Sequence, residues 1–504
     1  MSGYIYDKGS NMLEDIEAEL DALEVAQHVF ANPVFAQHMM FDPKEVYEGI
    51  QRQYGEFMTA NHAFELQNNY PEGATMMPII LASDKTGVMR VTGNLDMHPT
   101  FLTIGNIALD VRMKATLQAW RCVAFIPTPK FNVHPDFQGI LHAHLWHKCM
   151  DKVCVNLKIA AKVGTFISDP FGLVQYVFTP LVAYQADLLE QQLIACVAKN
   201  SSPVSLAMLE FFGDPRPHSP CTGSYTLKQI YDISKKVNPW QVGQFQTAAK
   251  AVGLSGVQQP FWRDWHLAKP SKSLTPEILH TCHKFFFDHI LMWCKSMLGN
   301  DELDTRYKSY HKRISFCHFT KGASHIKQMT GRDHCDIQRT IVPTIASAAS
   351  NNAVHSIHGL IDLFYLAQNP THTPTSIDHM MNALAKFHHY KDAILEAEAR
   401  RGKKGTIDNF HIPKLKLMQS FARAHTFQKT NHQKDFIAQS VRELDRLEKI
   451  CQFKLYTLLR SHKHNFINAV IQAETEEVQA VQDETTDLDP EYAWLSRVVK
   501  AENI

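Results

Sequence analysis

MMPIILASDKT, residues Met76 to Thr86, is a short apolar run that delivers one carboxylate, Asp84, at its end. Turn-forming residues bound it on both sides: Pro71-Glu72-Gly73 before and Lys85-Thr86-Gly87 after. A continuous apolar segment between turns reads as a strand buried on both faces. Metal-dependent phosphoryl-transfer enzymes place a first ligand at the mouth of such a strand. An ordinary strand-capping aspartate has the same appearance, so this stretch alone leaves both readings open.

Upstream, residues 10 to 66 read as helical, with Leu13, Ile16, Leu20, Leu23 and Val25 at helical spacing. Downstream, Met89–Val91, Thr100–Ile107 and Arg121–Ile126 follow as further strands, which suggests an antiparallel meander. His142 to Ala161 turns to helical periodicity. A second apolar run, Leu173 to Ala186, ends in Asp187 and passes directly into the helix-prone LLEQQLIACVAK. Strand, carboxylate, helix is a β–α junction, with Asp187 at the carboxyl end of the strand.

Residues 199 to 225 and 255 to 275 are rich in Ser, Pro and Gly and read as loops. Thr275-Pro276-Glu277 then starts a long helical stretch, with Thr as cap, Pro at the first position and an acid in the first turn. Asn431 to Leu459 forms another amphipathic pattern, and Glu474 to Glu491 is an acidic, solvated tail that reads as disordered. The expected division is 1–69 helical, 70–198 core, 199–270 linker or irregular region, 271–420 helical insertion, 421–470 C-terminal core helix and 471–504 tail.

The chain has 504 residues, ample for large buried cores, and 45% apolar against 20% charged residues excludes wholesale disorder. Net charge is zero, so the overall balance does not advertise nucleic acid as a partner. The acidic start lacks the basic-then-apolar layout of a signal peptide, and the longest uncharged apolar stretch, Phe171 to Ala186, is too short to span a bilayer. The expectation is a soluble, intracellular protein with no membrane partner. Ten cysteines without CxxC spacing argue for reduced thiols and against a zinc ribbon.

A meander carrying Asp84 on its first strand, with a later strand carrying Asp187 before a helix, follows the order of a ribonuclease-H-like core. In that α/β arrangement, strands distant in sequence lie side by side and bring two carboxylates over Mg²⁺ or Mn²⁺. Strand-end aspartates are common in α/β proteins, so the pattern does not settle the matter alone.

Longer motifs go further. NPVFAQHMMFDPKEVY (Asn32–Tyr47), YPEGATMMPIILASDKT (Tyr70–Thr86), FLTIGNI (Phe101–Ile107) and TPLVAYQADLLEQQLIAC (Thr179–Cys196) occur in that order. LTPEILHTCHKFFFDHILMW (Leu274–Trp293), LDTRY (Leu303–Tyr307), HFTKGASHIKQMTG (His318–Gly331) and NFHIPKLKLM (Asn409–Met418) follow. Together they resemble the Plavaka family of basidiomycete DNA transposases, of the Kyakuja–Dileera–Zisupton group, over residues 30 to 460. The resemblance implies a ribonuclease-H-like core with a large, mostly helical insertion, an Asp-Asp-Glu triad, DNA as partner, nuclear rather than cytoplasmic location, and room for a homo-oligomer. Asp84 matches the family's first aspartate. Asp187 matches the aspartate of its Tyr-x-x-Asp-Tyr-Pro-Glu-Gln pattern, with Leu188-Leu189 in place of Tyr-Pro. Asp169, in SDPFG, is a rival for the second position.

The departures from the family carry equal weight. After IPKLKLM the family has a Thr-Glu…Glu-Arg-Leu-His segment that supplies the third acid, whereas here Met418 is followed almost directly by ARAHTFQKTNHQKDF. Glu443 and Glu448 match non-catalytic positions. Ser202-Pro203-Val204-Ser205 stands where the family has Cys-Pro-x-Cys, and serine supplies no thiolate, so zinc is not expected there. No N-terminal Cys/His finger precedes the acidic start, and the family's Trp-rich patch reads Thr59-Ala60-Asn61-His62-Ala63-Phe64. The expectation is therefore a transposase-derived chain without catalytic activity. The alternative is a non-catalytic DNA- or protein-binding module that keeps the scaffold.

Three further clusters invite chemistry. His142-Ala-His144-x-x-His147-x-Cys149 has zinc-ligand residue types, but its spacing does not lie on one helix face. His280-Thr-Cys282-His283 sits in the Thr-Pro-started helix, with Cys282 on the apolar face. Arg400, Arg401, Lys403 and Lys404 form a short basic run suited to phosphate, nuclear entry or a solvated loop.

Overall fold

Two prolines facing each other shape the centre of this protein. In the computed structural model, which describes residues 21–423 apart from 90–94, 275, 311–318 and 327–330, the apolar run around Asp84 is two strands. Pro78 and Pro180 have no N–H to give a ladder, so both partner strands are interrupted at one level. Pairing nevertheless bridges the gap, with Met77 N donating to Phe178 O and Ile79 N to Pro180 O, each at 2.8 Å.

Along the chain, α1 (Ala22–Phe30) is followed by a hairpin of β1 (Val46–Glu48) and β2 (Gln51–Gln53), then α2 (Asn61–Gln67). The N-terminal region is thus not wholly helical as its spacing suggests; Gly49, at φ 59, turns the hairpin. Next come β3 (Thr75–Met76), β4 (Ile79–Ser83), β5 (Thr86–Met89), β6 (Leu95–Met97), β7 (Pro99–Ile104) and β8 (Arg121–Phe125). Helices α3 (Pro135–Val153) and α4 (Val155–Val163) precede β9 (Thr165–Ser168), β10 (Val174–Phe178), β11 (Leu181–Gln185) and α5 (Leu188–Ile194).

The central sheet has the order β11-β4-β7-β8. β4, β7 and β8 are antiparallel neighbours, and β11 lies parallel to β4 with Gln185 opposite Ala82. Every residue of β4 and β11 is buried, as expected for strands covered on both faces. A second sheet, β3-β10-β9, continues the same parallel pair beyond the prolines. This is a mixed α/β architecture.

Residues 199–270 are irregular only in part. They carry α6 (Gly223–Ser234) and α7 (Val242–Lys250), and Ile230, Ile233, Phe245 and Ala249 from these helices enter the sheet's core with Phe261, Trp262 and Trp265. The chain then forms an isolated parallel bridge, Leu274 to Tyr184, beside β11. Beyond it the described residues are mostly helical. Two π-helical turns, Leu279–His283 and Phe286–Ile290, run into α8 (Leu291–Leu298). These are followed by α9 (Asn300–Lys308), α10 (Gly331–Ile345), α11 (Asn351–Leu366), α12 (Pro374–Tyr390) and α13 (Asp392–Glu396). A small hairpin of β12 (Arg401–Gly402) and β13 (Gly405–Thr406) leads to α14 (Pro413–Gln419). The basic run falls on that hairpin, with Arg401, Lys403 and Lys404 exposed.

These helices bury a second core from Cys282 to Phe421. Both cores belong to one compact unit, Met1–His432. The second unit, Gln433–Ile504, lies outside the described residues, as do the Thr275 cap, the Asn431–Leu459 pattern, Glu443, Glu448 and the acidic tail.

Candidate functional site

Parallel pairing of β4 and β11 decides where the two candidate acids sit. Asp84 lies two residues beyond Ala82, and Asp187 two residues beyond Gln185, its partner across the ladder. Neighbouring strands are about 4.8 Å apart, so the two residues leave the sheet side by side at its carboxyl edge. Both are half-buried.

Asp187 also performs a local task. It is the N-cap of α5, and its Oδ1 accepts from Glu190 N at 2.8 Å. That bond occupies one carboxylate oxygen. The helix so started turns Glu190 inward, into a network beneath Asp84. Tyr184 Oη and Ser83 Oγ are hydrogen-bonded at 2.7 Å, Ser83 Oγ donates to Glu190 Oε1, and His98 Nε2 meets the same oxygen at 2.7 Å. All four side chains are buried. Burial, together with the carboxylates of Glu190 and Asp187, pushes the Asp84 carboxyl up to about 6, against the opposing pull of His280 and His98.

The helical region supplies the other wall. The Leu274–Tyr184 bridge carries the chain past β11 toward the first π turn; Glu277, just before that turn, is buried, and His280 lies within it. Burial alone would lower the His280 imidazole, yet its pKa is raised. The Glu277 carboxylate, 2.7 Å from His280 Nδ1, outweighs that burial, and Asp187 and Asp84 add to it. Lys414, on α14, is lowered by burial; its ammonium feels Asp288, Glu277 and Asp187. The carboxylates therefore face cationic groups contributed by the helical region.

Asp169 is in a different place. It precedes β10, at the far end of the strand pair from Asp187, and is consumed by a turn. Its Oδ1 accepts from Phe171 N and Leu173 N, both at 2.9 Å, and its Oδ2 from Gln175 Nε2 at 2.7 Å. The structure brings Asp187, and not Asp169, to Asp84.

A family model described as Plavaka transposase matches residues 7–294, more than half of the chain. The chain belongs to the Plavaka transposase family. No curated protein matches it.

In this Plavaka member the remaining histidine and cysteine clusters are structural. His144 Nε2 lies 3.2 Å from Gly256 O, and His142 packs edge-on to Phe131. His147 Nε2 meets Leu193 O at 3.0 Å while its Nδ1 accepts from Phe261 N at 3.2 Å; burial pushes its pKa down to about 3. Ser202 Oγ accepts from Val204 N and Ser205 N, closing a turn where the family has its Cys-Pro-x-Cys. Cys282 is fully buried in the second core and His283 meets Gln338 Oε1 at 2.9 Å, so they do not join His280. Among the described residues no set of three or more His, Cys, Asp or Glu is arranged to hold a metal ion. No helix among them is long and apolar enough to cross a membrane.

Sequence reasoning missed Glu190, His98, Glu277 and His280 as parts of one site. The available signal was the Glu190-Gln191 pair, which matches the end of the family's Asp-Tyr-Pro-Glu-Gln pattern.

Proposed function

We propose that this Plavaka protein carries a ribonuclease-H-like core, ancestrally built for metal-dependent DNA cleavage and strand transfer, and that this chain no longer cleaves. The single observation that carries the reading is the parallel β4–β11 pairing beside an antiparallel β4-β7-β8 meander, with Asp84 and Asp187 at neighbouring strand ends. The Leu274–Tyr184 bridge continues the sheet order just where the helical insertion begins.

The donor chemistry suits Mg²⁺ or Mn²⁺ in kind: hard carboxylate oxygens, one raised well above its ordinary pKa by burial and by the negative charge around it. It is short in number, because Asp187 spends one oxygen on α5 and Glu190 Oε1 is taken by Ser83 and His98. A divalent cation bound by Asp84 and Asp187 would activate a nucleophilic oxygen and offset charge on the phosphodiester. This chain's own residues hold the carboxylates in place: the α5 N-terminus orients Asp187, and the Tyr184–Ser83–Glu190–His98 network fixes the floor under Asp84. His280 and Lys414 bring positive charge to the same edge, where a phosphate would lie. Without the family's third acid a second cation has no clamp, and the expected loss is many orders of magnitude in rate.

Isothermal titration with Mn²⁺, beside a nicking assay on duplex DNA, tests this. Weak binding that disappears in Asp84→Asn and in Asp187→Asn, with no nicking by the parent chain, is the expected result. Binding unaffected by either substitution would refute the site. Mn²⁺-dependent nicking that is lost in Asp84→Ala would instead refute the inactivity.

A further inference from the structure

We propose that the outer face of the α6–α7 hairpin is a binding surface for single-stranded DNA, held by base stacking on Trp240 and Tyr231 and by phosphate contacts to lysines. This rests on the reading of the chain as derived from a DNA-acting protein. The placement comes from charge and exposure. The chain as a whole is neutral, yet between Asp214 and Asp264 the only acid is Asp232, against Arg216, Lys228, Lys235, Lys236, Lys250 and Arg263. Arg263 is committed to Asp151 at 2.8 Å. Lys228, Lys235, Lys236 and Lys250 are all exposed, which makes this hairpin a local cationic surface complementary to a polyanion.

Aromatic side chains are interleaved with that charge. Lys228, Tyr231 and Lys235 recur at i, i+3 and i+7 along one face of α6, and Lys235 Nζ sits 4.1 Å from the centre of the Tyr231 ring. Tyr231 is 58% exposed. Trp240, on the turn between the helices, is 74% exposed, while Trp120, Trp146, Trp262, Trp265 and Trp293 are at most 5% exposed. Isolated exposed apolar residues are ordinary on any surface. Trp240 differs because its backbone is held: its N–H donates to Asn238 Oδ1 at 3.0 Å, and Pro239 O accepts from Gln258 Nε2 at 2.7 Å. The outward positions of α7, Gln241, Gln244, Thr247 and Lys250, add no acid. A held indole and a phenol ring among lysines match what unpaired bases on a phosphate backbone require, because stacking is sequence-tolerant and needs the rings exposed. Duplex DNA hides those base faces.

The test uses the full chain and a fluorescein-labelled oligothymidine of about 20 nucleotides, longer than one typical single-strand site. Anisotropy is read in EDTA, so that the carboxylate site plays no part. Trp240→Ala should weaken binding about tenfold and Tyr231→Ala comparably, with Trp240→Phe restoring most of the loss. Lys235→Glu with Lys236→Glu should lower the slope of log K against log salt by about 1.4, two single-strand phosphate contacts. Lys162→Glu, exposed on α4, is the control and should change neither. In a Trp494→Phe background, oligothymidine should quench the emission of the exposed indole, and Trp240→Phe should abolish that quenching. The proposal falls if the parent chain does not bind, if Trp240→Ala and the double lysine variant bind like the parent, or if duplex of equal length binds more tightly. The Mn²⁺ titration is read without DNA and the oligothymidine titration without metal, so failure of the carboxylate reading and failure of this surface are separately visible.

Discussion

Asp84 is held in a setting that disfavours its own charge, and that gives a prediction with a definite sign. Its carboxyl titrates at about 6 in the folded protein, against an ordinary value near 4 in an unfolded chain. A raised acid pKa means the folded state binds the proton more tightly, so folding stability falls as pH rises from about 4 to about 6 and then levels. Two units correspond to at most about 3 kcal/mol, and partial exposure of Asp84 cuts this to about 1–2 kcal/mol. Asp84→Asn is therefore expected to be more stable than the parent at pH 7 and equal to it at pH 4, by urea unfolding in EDTA. A variant less stable than the parent at pH 7 would show that the charge is compensated. At this scale the sequence was legible in part. Asp84 and Asp187 announce themselves as strand-end carboxylates, because an apolar run that stops at one acid is visible in the chain. Glu190 is not legible in the same way. It looks like an ordinary first-turn acid of α5, and only Ser83 and His98, about a hundred residues earlier, show that it points into the sheet.

Among the elements, the tightest joint is the crossing of α11 and α12. A Cβ at Gly359 would lie 2.7 Å from Ala383 O and 2.9 Å from Phe387 N, backbone atoms that cannot swing away. Gly-to-Ala in a helix interior ordinarily gains about 1 kcal/mol, whereas forcing two packed helices apart costs about 1–3 kcal/mol. Gly359→Ala is expected to destabilise by about 1 kcal/mol net, read as a lower urea midpoint at unchanged slope. A stabilised variant would mean the two helices do not approach this closely. The same contrast explains what periodicity revealed. The helical region was legible because its apolar faces repeat over long segments, such as Ile357, Leu360 and Phe364 on α11. Helices α6 and α7 were hidden behind the Ser/Pro/Gly-rich stretch that precedes them, although Ile230, Ile233, Phe245 and Ala249 keep helical spacing. The β1–β2 hairpin was hidden too, because its strands are three residues each and mostly exposed, with no apolar alternation to betray them. The partnership of β4 with β11 needs tertiary pairing across a hundred residues, which motif order implied but spacing alone did not.

On the scale of the whole described unit, two hydrophobic cores are joined by a short helix. α14 gives Leu417 to the sheet's core and Leu415 and Met418 to the helical one. Between those apolar contacts Lys416 is almost fully buried, an expensive position for an ammonium unless its donors are satisfied. They are: Nζ donates to Asp214 O and Arg216 O, each at 2.9 Å, and to the Asp214 carboxylate. Lys391, on the loop after α12, donates to the neighbouring Gly213 O, so two cations from the helical body hold one turn of the sheet body. Lys416→Met keeps the length of the side chain and removes the donors, leaving the Asp214 carboxylate and two carbonyls without their partner. Breaking such a charge-assisted cluster from one side costs about 2–4 kcal/mol. Because Asp214 and Lys416 share these bonds, adding Asp214→Asn to Lys416→Met should cost much less than its effect alone. The loss should also fall on the joint between the cores. Tryptophan emission reports chiefly on the sheet's core through Trp146, Trp262 and Trp265, whereas far-ultraviolet circular dichroism sums the helices of both bodies. In the parent chain the two urea transitions are expected to coincide. In Lys416→Met they should separate, the dichroism change spreading over two steps while the tryptophan signal follows only one. Coincident transitions in the variant would show that the remaining apolar contacts of α14 are enough to make the two cores unfold together.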